Sequence, residues 1–207
     1  MKYEEIKENI VNYEEIKKNF RVKLMPIKGN EEKLANRPHR KFEDIAMVYQ
    51  IMVDMDEKNY ASIQITNVLL DIWGLTEKEL FEDAILESYR NSSAYILPIG
   101  QMIGIDPKED KLNTFVASSG EINGAWIMFC PGMMKVYAKQ LGANGYYILP
   151  SSIHEMLLMP AEYGDYDAGD LQRMVAEINA TEVSPEDRLT DSIYYYEYST
   201  DTFQKVA

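Results

Sequence analysis

The sequence predicts an α+β protein built on a mostly antiparallel sheet, with an amphipathic helix in front of it. Three observations lead there. Short β-rich runs come in pairs joined by turn residues, helical patterns fall between those pairs singly or in twos, and strands and helices do not alternate as βαβ units would. With 207 residues and 46% apolar side chains, the chain can bury a core. The expected organisation is an N-terminal helix over residues 1–20, then one α+β domain over 21–207.

Each element has its own signal. Tyr3, Ile6, Ile10, Tyr13, Ile16 and Phe20 recur every three or four residues, which predicts a helix of about five turns. The segment also repeats, YEEIKEN at 3 returning as YEEIKKN at 13, so both copies show nearly the same face and suit a docking or dimerising helix. Arg21 to Met25 alternates until Pro26 and predicts a short strand; Gly29 to Arg40 is polar and reads as a loop. Ile45 to Met55 is almost unbroken apolar sequence, a strand covered on both faces, with Asp56 to Asn59 as a turn and Tyr60 to Ile65 as its partner.

Two helices should follow. Thr66 can cap Asn67 to Trp73, with Gly74 as terminator. Thr76 and Glu79 fit a capping box, and Leu75 and Leu80 a hydrophobic staple, for a helix running to about Tyr89. Asn91 to Asn113 is looser. Phe115 to Ser118 and Ala125 to Phe129 read as a hairpin around Asn123-Gly124. Pro131 opens a helix ending at Leu141-Gly142; Tyr146 to Leu149 and His154 to Met159 read as strands. Asp170 can cap a helix ending near Asn179, and Ile193 to Tyr198 with Phe203 to Val206 closes as a hairpin.

Charge excludes more than it selects. The formal net charge is −13, distributed as +4 over residues 1–41, −8 over 42–150 and −9 over 151–207. Such a surface repels phosphate backbones, and the basic stretch Arg37, Arg40, Lys41 beside His39 is too short to reverse that, so no direct nucleic-acid binding is expected. One Cys excludes a disulfide framework, and two His argue against a histidine-rich metal site. No apolar run approaches the roughly 18 residues of a membrane span, and the charged start carries no signal core, so a cytoplasmic protein is expected.

The blocks NEEKLANRPHRKFEDIAMVYQIMV, ITNVLLDIWGLTEKEL, GANGYYILPSSIHEMLLMP and DRLTDSIYYYEY occur here in that order. In them the chain resembles an uncharacterised bacterial family, a domain of unknown function associated with gut clostridia and their mobile elements. The resemblance covers roughly residues 20–200, with ILPSSIHE its most specific block. It implies a cytoplasmic accessory protein of phage, plasmid or conjugative origin, and further sequence before the first helix that this chain lacks. It transfers no activity, cofactor or site. Where that family tends to have an aromatic residue after the hairpin, this chain has Cys130.

Four constellations bear on function. Cys130-Pro131 lies where a strand should meet a helix N-terminus, which would lower a thiol pKa; with His154 and one of Asp165, Asp167 or Asp170 it would make a Cys-His-Asp hydrolase. Ser152 and His154 share a face if that segment is extended and would pair a hydroxyl with a base, yet the G-x-S-x-G elbow is missing. His154-Glu155 starts like a zincin helix, but Leu158 stands where the second histidine belongs. The plainer reading has Ser152 satisfying turn amides and His154 holding a loop. Glu162, Asp165, Asp167 and Asp170 offer hard oxygen ligands without the glycine and glutamate spacing of a calcium loop, so no metal and no cofactor is expected.

The fourth constellation carries the expected function. Of fifteen tyrosines, Tyr194, Tyr195, Tyr196 and Tyr198 crowd one strand. Ile193 and Tyr195 would enter the core, and Tyr194, Tyr196 and Tyr198 would share the outer face near Glu197; a helix covering those rings is the equal alternative. The expectation is a non-enzymatic, acidic protein-binding protein whose contact residues are Asp165, Asp167, Tyr194, Tyr196, Glu197 and Tyr198. Its partner would be basic, in the sharpest version a nucleic-acid enzyme such as an RNA-guided nuclease or restriction enzyme, inhibited by a mobile-element product. The alternatives are a small hydrolase using His154 with Ser152 or Cys130, and a module that homo-oligomerises through residues 1–20.

Overall fold

The structure, a computed structural model, describes residues 2–54, 60–106, 108–109, 111–120, 122–150 and 152–207. It is α+β, and every strand pairing in it is antiparallel. The chain divides into two compact units, residues 1–92 and 93–207.

Unit 1 opens with two short helices, α1 (Tyr3–Asn9) and α2 (Tyr13–Ile16), followed by a 3-10 turn over Lys17–Asn19. The expected five-turn helix is therefore broken, and the repeat explains the break. Each copy ends in asparagine, and each asparagine bonds back to the helix carbonyls: Asn9 Nδ2 donates to Glu5 O at 2.8 Å, Asn19 Nδ2 to Ile16 O at 3.4 Å. An amide side chain that satisfies those carbonyls competes with helix continuation. The apolar stripe is covered by the chain's own unit. Ile6, Ile16 and Phe20 are fully buried, and Tyr13, Phe20 and Trp73 form a ring cluster with centroids 5.4–5.9 Å apart.

The unit's sheet holds β1 (Phe20–Pro26), β2 (His39–Phe42), β3 (Ile45–Asp54) and β4 (Tyr60–Gln64). Strand β3 pairs with β1 along one edge, and with β2 and then β4 along the other. The expected loop at 29–40 instead contains helix α3 (Glu31–Ala35) and the first residues of β2. Leu34 of α3 packs on Ala46 and Val48 and gives that polar stretch its anchor. The expected turn at 56–59 lies outside the described residues.

Thr66 caps α4 (Asn67–Trp73) by accepting from Leu69 N–H, and Gly74 ends it at φ +67°. The Thr76–Glu79 capping box opens α5 (Glu77–Arg90). That helix buries Leu80, Phe81, Ala84 and Ile85, and its Ser88 hydroxyl accepts from the Val22 N–H of β1 at 2.9 Å. The sheet face of Phe20, Val22 and Leu24 is therefore helix-covered, as the unbroken apolar run of β3 requires.

Unit 2 is a six-stranded sheet, in order β10-β9-β7-β8-β6-β5. Its strands are β5 (Tyr95–Pro98), β6 (Phe115–Ser118), β7 (Gly145–Leu149), β8 (Met156–Pro160), β9 (Tyr194–Glu197) and β10 (Thr202–Lys205). A one-turn helix, α6 (Ile99–Met102), follows β5. The expected hairpin after β6 does not form. Asn123 takes the left-handed angle foreseen for it, φ +55°, but leads into a fully buried 3-10 segment, Gly124–Phe129. Its apolar run fills the core rather than adding a strand.

Helix α7 (Met133–Leu141) ends at Gly142 with φ +64° and packs with that segment; Tyr146 of the sheet donates from its hydroxyl to Met134 O at 2.9 Å. Helix α8 (Ala168–Thr181) packs its Leu171 and Val175 with Leu149 and Ile193. Its cap is Asp167, three residues earlier than expected from Asp170, whose N–H donates to the Asp167 carboxylate at 2.9 Å.

Candidate functional site

The loop joining β7 to β8 holds Ser152 and His154, but not Cys130, of the hydrolase reading. His154 Nδ1 accepts from the Asn123 N–H at 3.0 Å, which leaves the ring proton on Nε2, 3.3 Å from Asp187 Oδ1. Ser152 is buried, and its hydroxyl accepts from His154's own backbone N–H at 2.9 Å. Ser118 Oγ lies 2.8 Å from the carbonyls of both Gly120 and His154, and Ile153 N–H donates to Asp187 O at 2.9 Å. A general base needs a ring nitrogen facing its nucleophile. Here both nitrogens are engaged elsewhere, so His154 ties together residues 118–124, 152–154 and 187.

Asp187 is the partner that sequence reasoning missed. It lies 33 positions from His154 and is brought near by the Ser152–Arg188 bridge and the Ile153–Asp187 backbone bond, so no local spacing could announce it. Cys130 is half-buried, and burial pushes its thiol pKa up, away from the thiolate a nucleophile requires. The expected lowering by a helix N-terminus is reversed because the thiol sits two residues ahead of the capping Gly132 and is desolvated by burial. Among the described residues no three His, Cys, Asp or Glu side chains are grouped to hold a metal ion.

Ile193 enters the core as expected, but the rings expected on an open face are covered, which is the alternative arrangement. Tyr194 and Tyr196 are 0% and 1% exposed, and Tyr195 is the one that stays partly open. The register explains it. Phe203 of β10 lies opposite Tyr196 and stacks on Tyr194 with centroids 4.9 Å apart, and Tyr146 of β7 packs on Tyr196 at 5.3 Å. These rings face the α7 side, where Tyr196 also donates its hydroxyl to Asp201 at 2.6 Å. Tyr194 and Tyr196 therefore leave the list of contact residues. Tyr198 remains half-exposed, with Lys135 Nζ 5.8 Å from its ring centre.

On the opposite face, Tyr195 packs edge-on against Tyr147 at 5.1 Å, and Tyr147 against Tyr166 at 5.9 Å. All three rings are partly exposed, and Tyr147 and Tyr166 pack at the margin of the cluster that α8 covers. Gly145 lies beneath the first of them: a Cβ there would overlap the Tyr195 hydroxyl. Burial, then the carboxylates of Glu197 and Glu162, raise the Tyr195 pKa. Glu162 accepts from Asn144 N–H at 2.6 Å, and Glu197 from Ser199, so both carboxylates are held beside the ledge. Asp165 and Asp167 are exposed on the segment that carries Tyr166. The missed residues are Tyr147, Tyr166 and Tyr195. A glycine opening the YYIL strand was the one sequence sign of a ring lying across it.

Fold and surface together define a two-unit antiparallel α+β protein whose central polar cluster is bonded inward and whose second unit carries an acidic, tyrosine-lined ledge. The chain belongs to a family of unknown function, DUF5688, whose model matches residues 1–198. No curated protein and no solved structure matches it. Among the described residues no helix is long and apolar enough to cross a membrane.

Proposed function

We propose that the protein is a non-enzymatic, acidic protein-binding protein that docks a basic partner on the ledge of unit 2. The observation that carries this is the run Tyr166–Tyr147–Tyr195, partly exposed and flanked by Glu162, Asp165 and Glu197. Tyrosines give large contact area at low entropy cost, and the carboxylates select a cationic partner by steering and by register. Unit 2 as a whole holds 7 Lys/Arg against 16 Asp/Glu, a balance of −9, which extends the attraction beyond the ledge. The sharpest form of the reading is an inhibitor that occupies the phosphate groove of a nucleic-acid enzyme, an RNA-guided nuclease or restriction enzyme, of the kind a mobile element would carry. The engaged ring of His154 disfavours the hydrolase.

The test compares wild type with a Tyr195→Ala, Asp165→Lys variant in parallel affinity captures from bacterial lysate, eluted by a salt gradient. Asp167 is left intact because it caps α8. The expected result is a basic protein retained by wild type, released as salt rises, and lost by the variant. Identical retention by both would remove this ledge as the binding surface.

A further inference from the structure

We propose that unit 1 self-associates through the outer edge of β4, two copies joining their sheets antiparallel about a two-fold axis at Ser62, independent of what the ledge of unit 2 binds. A strand at the edge of a sheet offers unpaired N–H and C=O groups to any other chain, and proteins blunt such edges with charge, with proline or with a covering element. Among the described residues five strands lie at an edge, and four of them are blunted. The Val22 N–H of β1 is taken by Ser88 of α5, β2 carries Arg40 and Lys41, β5 ends on Pro98, and β10 carries Lys205. The remaining edge is β4, whose sequence YASIQ has neither a charge nor a proline and which pairs with β3 alone.

The register fixes which groups that edge offers. Ile65 N–H donates to Tyr49 O at 3.0 Å, so the main chain of Ile63 and Ala61, in the same alternation, also turns to β3. The N–H and C=O groups of Ser62 and Gln64 then point outward. Ala61 and Ser62 are exposed. The occupant these groups fit is a second copy. Turned about an axis at Ser62, the strand meets itself in register: Ser62 faces its own counterpart, Gln64 faces the counterpart of Tyr60, and outward groups meet outward groups. Like charges set opposite each other across strands are destabilising. A neutral strand pairs with itself without that penalty, whereas β2 would bring cation to cation.

A five-residue edge gives register but little area, and the next element supplies more. Helix α4 begins three residues after β4 ends, and it alone among the α-helices of unit 1 has no buried residue. Its Val68 and Ile72, one turn apart on one face, are 66% and 54% exposed. Apolar side chains left open together mark an interaction surface. The strand edge contributes directed hydrogen bonds, and the helix contributes the apolar anchors that hold an interface together.

The experiment is size-exclusion chromatography with light scattering on the full chain, over a concentration series at low and at high salt. Expected is a monomer–dimer equilibrium that salt strengthens, because both copies carry the same net charge of −13 and screening relieves their repulsion. Salt would instead release a basic partner from the ledge, so the two associations are told apart by sign. Ser62→Lys and Ser62→Glu should each be monomeric, and their equal mixture should regain the dimer, since position 62 faces itself across the axis. Recovery in the mixture also shows that both variants are folded. Ile72→Lys should weaken the dimer as well. A wild-type chain that stays monomeric throughout, a dimer that neither Ser62 variant disturbs, or a mixture no more dimeric than its components would overturn the proposal.

Discussion

A methyl group added at Gly145 would occupy the volume of the Tyr195 hydroxyl, so the ring and the strand beneath it are coupled. Gly145→Ala should lower stability by about 1–3 kcal/mol, as overpacking does. In a Tyr195→Ala background the same change should cost far less, because its obstacle is gone. A double-mutant cycle of urea midpoints measures the coupling, and additive effects would mean the ring does not lie there in solution. His154 permits an equally local prediction. His154→Ala leaves the Asn123 amide without its acceptor and the Asp187 carboxylate with only Ser184, and should lower stability by about 1–3 kcal/mol. Its expected signature is a shift of the unfolding midpoint, since the ring ties three segments together.

Among the elements, α5 and α8 are closed by caps whose removal can be measured. Asp167→Ala and Thr76→Ala should each lower stability by about 1 kcal/mol, read as a shift in urea midpoint with unchanged slope. The α5 cap also depends on pH. Hydrogen bonds from the Thr76 backbone and side chain hold the Glu79 carboxyl below the usual carboxylate range. A depressed folded-state pKa contributes stability above the unfolded pKa and loses it as pH falls through the folded one. The difference between wild type and Thr76→Ala should therefore be full at neutral pH and shrink below about pH 4. A difference that holds constant into strong acid would mean the box is not formed. The broken N-terminal helix belongs at this scale too: replacing Asn9 by Ala removes its bond to the Glu5 carbonyl and should raise helix content by circular dichroism.

For the whole molecule, the division at residues 92–93 is the organising fact, because each unit encloses its own sheet and its own buried cluster. A fragment of residues 93–207 should unfold cooperatively by near-ultraviolet circular dichroism, its six-stranded sheet lying wholly within that unit. A fragment without a cooperative transition would mean that unit 2 needs unit 1 to fold. Charge follows the same division. Unit 1 holds 14 Lys/Arg against 18 Asp/Glu, a milder acidic balance than that of unit 2.

Local chemistry was legible in the residues themselves. The α+β class, the Thr66 and Thr76 caps, the glycine stops at 74 and 142, and the strands at 45, 60, 115 and 145 follow from signals that act within one turn or one pleat. The broken N-terminal helix and the 3-10 segment at 124–129 show where such signals fail: apolar spacing says that a segment is buried, not which backbone path buries it. The candidate surfaces lay further out of reach. Which tyrosines face outward depends on the register of β9 against β7 and β10, since a strand's two faces are equivalent until its neighbours cover one. The His154–Asp187 tie joins residues that only chain crossing brings together. Composition and short-range pattern were determined by the sequence alone; the tertiary structure decided which polar groups meet, because pairing across strands is a long-range choice that no local spacing encodes.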